Sequence, residues 1–122
     1  MLAYVTVGTA DLEKAQAYYN ALFEDLGASI IMDMERLVVY GTPAGGAMFS
    51  VCTPFDEGEA SPGNGWMASI GAGSAEMVDK LHAKALELGG TNEGDPGPRG
   101  DGFYGGYFRD PDGNKICFCH FG

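Results

Sequence analysis

The side chains best suited to chemistry gather near one end of the chain. Cys117, Cys119 and His120 form a Cys-x-Cys-His run, and the remaining cysteine is Cys52. Thiolate and imidazole donors held together suit zinc or a softer metal, and a thiol beside an imidazole is also the pairing of a cysteine nucleophile. A metal site needs three or four good donors at once, and this run lacks a second strong pair. We therefore read the cysteines as small apolar residues of a strand. Three cysteines in a chain without a basic, apolar leader are expected as free thiols in a reducing compartment.

Other side chains carry two readings each. Tyr4, Trp66, Met67, Tyr104 and Tyr107 would line a pocket for a planar or cationic ligand, or build the core. Arg99 would clamp a ligand carboxylate, or face solvent from a loop. Asp56, Glu57 and Glu59 would attract a cation, or belong to a solvated linker. His82 is expected at the surface or boundary of a helix. Asp110 and Asp112, next to Pro111 and Gly113, are expected as turn formers.

The elements that must position these residues follow from periodicity. Residues 103–121 read as a hairpin: an aromatic strand, the Asp-Pro-Asp-Gly-Asn turn at 110–114, and a return strand. On that strand Ile116, Phe118 and His120 alternate with Cys117, Cys119 and Phe121, so the two thiols point the same way. Residues 2–7 read as a strand. Thr9 or Asp11 then caps a helix whose apolar face is Leu12, Ala15, Tyr19, Leu22 and Leu26. Residues 29–32, 36–40 and 48–53 read as three more strands. A polar Gly/Pro/acid-rich stretch, 56–65, reads as a linker. The order then restarts, with a strand at 66–70, a Ser74 cap and a helix face of Val78, Leu81, Ala85 and Leu88. A loop at 95–102 leads into the hairpin.

The chain is thus an internal repeat: Val5-Thr6-Val7-Gly8 corresponds to Ala68-Ser69-Ile70-Gly71 at the offset that also relates the helix faces. Its 122 residues suit one domain, with module 1 at about 1–55, the linker at 56–65 and module 2 at about 66–122. A net charge of −10 argues against nucleic acid and anionic membranes as partners and permits a cationic ligand. No segment has the ~18 apolar residues of a membrane helix, and a cytoplasmic location is expected.

The βαβββ order, the helix start TADLEKAQAYYNALFEDLG and the RDPDGNKI stretch before the last strand resemble the vicinal-oxygen-chelate superfamily, which includes glyoxalase I, extradiol dioxygenases and bleomycin-resistance proteins. The resemblance implies an α+β fold in which two βαβββ modules form a curved mixed sheet with a concave pocket and helices outside. It also implies a homodimer. In metal-dependent members, His or Glu on the first and last strands of each module bind a divalent cation. Those positions fall here on Tyr4, on Ser50 or Phe49, on Met67 and on Cys117. Phenol, hydroxyl, thioether and thiol do not form the usual site, so no metal and no other cofactor is expected, and a divalent metal is disfavoured. Tyr4, Ser50, Met67, Tyr104 and Cys117 are the expected ligand-binding residues. The expected activity is binding of a small organic molecule. The alternative is a glyoxalase-like lyase or dioxygenase-like enzyme with an atypical metal site. A glutathione-dependent version is disfavoured, because three arginines and four lysines offer few contacts for a ligand with two carboxylates.

Overall fold

The computed structural model describes all residues 1–122. The chain divides into two compact units, Met1–Pro62 and Gly63–Gly122. The first contains β1 (Tyr4–Gly8), α1 (Leu12–Phe23), a 3-10 turn (Glu24–Leu26), β2 (Ser29–Met34), β3 (Leu37–Gly41) and β4 (Met48–Cys52). The second contains β5 (Ala68–Gly71), α2 (Ala75–Glu87), β6 (Thr91–Pro98), β7 (Phe103–Arg109) and β8 (Lys115–Phe121). The βαβββ module is therefore present twice, as the repeat implies. Each module has its own four-stranded mixed sheet, ordered β1-β4-β3-β2 and β5-β8-β7-β6. In both, the first and last strands pair in parallel and the other pairings are antiparallel.

Local chemistry sets the helix starts. The Asp11 carboxylate accepts from the Lys14 amide at 3.2 Å, and the Ser74 hydroxyl accepts from the Met77 amide at 3.1 Å. Each satisfies an amide that the helix itself leaves without a partner. Of the two cap candidates for α1, Asp11 serves, while the Thr9 hydroxyl accepts from the Asp11 amide and orients the connection.

Each helix buries one stripe against one face of its own sheet. In the first unit Tyr19, Leu22 and Phe23 meet Val38, Tyr40, Phe49 and Val51, all buried. Phe23 lies 5.3 Å from both the Tyr40 and Phe49 rings, centroid to centroid, and Tyr19 lies 4.9 Å from Phe49. Burial of such side chains stabilises by roughly 1.5–3 kcal/mol each. In the second unit Val78, Leu81, His82 and Ala85 of α2 are buried, as are Phe108, Ile116 and Phe118 of the sheet.

Five expectations need correction. Strand β1 begins at Tyr4, not Leu2, and β5 at Ala68, not Trp66. Leu88, assigned to the helix face, is exposed; it falls beyond the last turn of α2. His82 is 3% exposed rather than superficial, because one residue past Leu81 and four past Val78 is still inside the buried stripe. Residues 95–98, read as loop, extend β6. This strand is the sheet edge, so Pro96 and Pro98 need no second ladder, and register shifts near Gly94 absorb the irregular composition.

Candidate functional site

Strand alternation and register decide which side chains occupy the sheet face away from each helix. In the first unit that face carries Tyr4 and Thr6 of β1, Leu37 and Val39 of β3, and Met48 and Ser50 of β4. Ser50, rather than Phe49, is the last-strand position on it: Phe49 packs against Tyr19 and Phe23 on the helix side. The Ser50 hydroxyl is fully buried. It donates to the Val5 carbonyl at 2.8 Å and lies 2.8 Å from the Thr6 hydroxyl. Tyr4, at the start of β1, is 58% exposed.

The second unit repeats the geometry with different atoms. Ser69 pairs with Cys117, as Thr6 pairs with Ser50. Gly105, Tyr107, Cys117 and Cys119 share this face with Ser69. Cys117 and Cys119 are buried free thiols, and Cys119 Sγ lies 3.3 Å from the Ser69 hydroxyl. Burial pushes the Cys117 thiol above its ordinary pKa, partly opposed by its contact with the Ser69 hydroxyl. A thiol held protonated is a poor nucleophile at neutral pH. Met67, just before β5, is partly exposed.

Two sequence candidates lie elsewhere. Tyr104 is on the opposite face of its sheet from Cys117, and its hydroxyl donates to Asp79 of α2 at 2.7 Å. That hydrogen bond raises the Tyr104 pKa. His120 pairs with Tyr104, so it too faces away from the cysteines and the Cys-x-Cys-His run is split across the sheet. Arg99 is held over the Tyr107 ring at 5.4 Å and donates to the Asp95 carbonyl at 2.7 Å. Asp110 caps its own turn by accepting from the Asp112 and Asn114 amides. No group of three His, Cys, Asp or Glu side chains is close enough to hold a metal ion.

Sequence reasoning missed an open cleft of about 760 Å³ in the first unit, lined by Thr9, Arg36, Thr53, Phe55, Glu57 and Glu59, among others. The Arg36 guanidinium sits 5.1 Å from the Phe55 ring centroid and donates to the Thr53 carbonyl at 2.8 Å. Arg36 and Phe55 are far apart in sequence, and nothing local signals their contact. The acidic run was the one visible sign, since two of its members line the cleft.

Paired βαβββ modules, each with a helix on one face of a mixed sheet and a row of polar and sulfur-bearing side chains on the other, define a protein of the vicinal-oxygen-chelate class. The chain belongs to the Glyoxalase/Bleomycin resistance protein/Dioxygenase superfamily, whose sequence profile matches residues 1–118. A glyoxalase/bleomycin resistance protein from Albidiferax ferrireducens T118 is 37% identical, with a TM-score of 0.90 over 100% of this chain and 99% of that one. The hypothetical protein SA1046 from S. aureus is 25% identical, with a TM-score of 0.71 over 98% of this chain and 92% of that one. A lactoylglutathione lyase from Agrobacterium tumefaciens shares the fold at 19% identity, with a TM-score of 0.69 over 98% of this chain and 92% of that one. No curated protein matches the sequence.

Proposed function

We propose that this protein binds a small organic molecule on the sheet face of a module away from its helix, with Tyr4 and Ser50 the contacts in the first and Met67 and Cys117 those in the second, without a resident hard divalent cation. The observation that supports this most is the donor set. The four positions where metal-dependent members carry His or Glu hold a phenol, a hydroxyl, a thioether and a thiol. The hydroxyl is already engaged with Thr6 and Val5, and the thiol is buried and held protonated. A hard cation needs carboxylate or imidazole donors. An aromatic ring and sulfur atoms instead suit an apolar or cationic organic ligand, and the charge of −10 favours the cationic kind.

The assembly we propose is a homodimer in a reducing compartment. Ile31, Met32 and Met34 are each more than half exposed on β2, an edge strand of its sheet, and a second copy would cover them. Three free thiols fit the compartment, the cytoplasm being the expected one, and no helix is long and apolar enough to cross a membrane.

Elemental analysis of the purified protein, with calorimetric titration of bleomycin and a turnover assay on the methylglyoxal–glutathione hemithioacetal, tests the reading. Binding of the cationic ligand without turnover supports it. Stoichiometric zinc, nickel or iron that disappears in Tyr4→Ala or Cys117→Ala overturns the metal-free part. Turnover of the hemithioacetal favours the lyase alternative. Sedimentation measures the assembly, and a monomer at all concentrations rules the dimer out.

A further inference from the structure

Beyond organic-ligand binding, we propose that Cys117 and Cys119 form a two-coordinate site for a monovalent soft cation, Cu(I). The two thiols project from one face of β8, neither is in a disulfide, and the Cys117 side chain interacts with both the Ser69 hydroxyl and the Cys119 thiol. The sulfurs are therefore gathered in one place. Neighbours on one face of one strand do not close a relaxed disulfide, whereas a cation held between them needs no direct sulfur–sulfur bond.

The surroundings suit such an ion. Across the sheet from Cys119 stands Gly105, over which the Phe103 ring lies: a β-carbon there would stand 2.9 Å from that ring and 3.5 Å from Cys117 Sγ, so apolar atoms shield the thiols on this side. Ser69, in contact with Cys119 Sγ, is itself exposed to solvent. His120 faces the other way, and no third Cys, His, Asp or Glu joins the pair. Zinc, nickel and manganese call for three or more donors and gain little here, while thiolates and thioethers select Cu(I). On binding, each thiol loses its proton to solvent and two copper–sulfur bonds form. No electron is transferred, and the bis-thiolate complex carries a charge of −1. Lys115, on the same face of β8 two residues before Cys117, holds its ammonium over the Tyr107 ring at 5.8 Å and offsets that charge.

Anaerobic titration of the full chain with Cu(I), in competition with a chromogenic Cu(I) chelator, tests the site. The expected result is one Cu(I) per chain in wild type and in Cys52→Ser, lost in Cys117→Ser and in Cys119→Ser, with zinc and nickel not retained. Because a buried cysteine variant can fail to fold, the wild-type chain supplies a second measurement. In mild denaturant that lets the metal-free chain be alkylated at all three cysteines, bound Ag(I) should protect Cys117 and Cys119, but not Cys52, as read by mass spectrometry of peptides. The site is overturned if wild type retains no copper against the chelator, if the Cys117→Ser/Cys119→Ser double variant still binds it, if Cys52→Ser abolishes binding, or if Ag(I) protects the three cysteines equally. None of these outcomes bears on the organic-ligand titration, so the two readings fail separately.

Discussion

Gly106 of β7 lies close beneath His82 of α2, and replacing it with alanine should be costly although alanine suits a strand. A β-carbon at Gly106 would stand 3.0 Å from His82 Nδ1, 3.1 Å from Pro96 Cγ and 3.3 Å from His82 Cγ. Neither neighbour yields easily. The His82 ring is buried, lies 6.2 Å from the Phe108 ring centroid, and is anchored by Nε2 to the Asn92 side chain at 3.0 Å. Pro96 is a rigid ring in β6. Overpacking of this kind costs about 1–3 kcal/mol, against about 0.4–1 kcal/mol that alanine returns by restricting the unfolded chain. The net expectation is a loss of about 1–2 kcal/mol, which lowers the melting temperature by roughly 4–10 °C for a domain near this size. The decisive assay is a double-mutant cycle by urea denaturation. In a His82→Ala background, where the opposing ring is gone, Gly106→Ala should cost at least about 0.5 kcal/mol less. Equal cost in both backgrounds, or a Gly106→Ala chain as stable as wild type, would refute the argument that ring contact sets this position.

Two further expectations follow from single hydrogen-bonded groups. Burial, reinforced by the Asp33 carboxylate, pushes the Tyr40 hydroxyl from its ordinary 10.0 up to about 12. Above pH 10 the unfolded chain therefore releases a proton that the native chain keeps. The stability this contributes is complete below pH 10 and is lost as pH rises towards 12, by on the order of 1–2 kcal/mol once partial hydration of the hydroxyl is discounted. Denaturation followed against pH should show that slope in wild type and a flatter one in Tyr40→Phe; identical slopes would contradict it. Asp110 is buried and receives the Asp112 amide, the Asn114 amide and the Asn114 side-chain amide, at 2.9–3.0 Å. Asp110→Ala leaves these donors unmet and should cost roughly 2–4 kcal/mol by urea denaturation, with Asp110→Asn recovering part of it. A loss under about 0.5 kcal/mol would show that water replaces the carboxylate freely.

Much of this architecture is written in local chemistry. The hairpin at 103–121 was legible because aromatic alternation, an Asp-Pro-Asp-Gly-Asn turn and a second alternating run agree. The turn forms as expected, with Gly113 at φ 91°, a backbone angle that strongly favours glycine. The helices were legible from their caps and stripes. What escaped depended on partners distant in sequence. The end of β6 was hidden by Asp-Pro-Gly-Pro, a composition that signals a turn unless the strand is known to be an edge. His82 was misplaced because a polar side chain on an apolar stripe can be buried only if the sheet offers an acceptor, and Asn92 offers one across the α2–β6 connection. The choice between Phe49 and Ser50 was open in the sequence, since adjacent residues differ by which face they take, and pairing decides that. The Arg36–Phe55 contact beside the cleft carried no local signal.

The two modules also show how one backbone geometry tolerates different chemistry at corresponding points. Thr6 beside Ser50 and Ser69 beside Cys117 occupy equivalent pairings on their first and last strands. Had these last-strand positions carried carboxylates, the buried charge would require a cation or a hydrogen-bonding shell to offset its desolvation. A serine whose hydroxyl is shared between Thr6 and the Val5 carbonyl needs neither. Nor does a cysteine, which is buried at low cost as a small apolar group while it keeps its proton. Neither last-strand position therefore carries a buried charge that an ion would have to offset. The difference between them lies in what each can still accept: the Ser50 pair has already directed its hydrogen bonds within the sheet, whereas Cys117 and Cys119 retain sulfur lone pairs that only a soft acceptor uses well. Any metal chemistry of this chain is therefore expected in the second module alone, and with a different ion from the one that carboxylate and imidazole donors select.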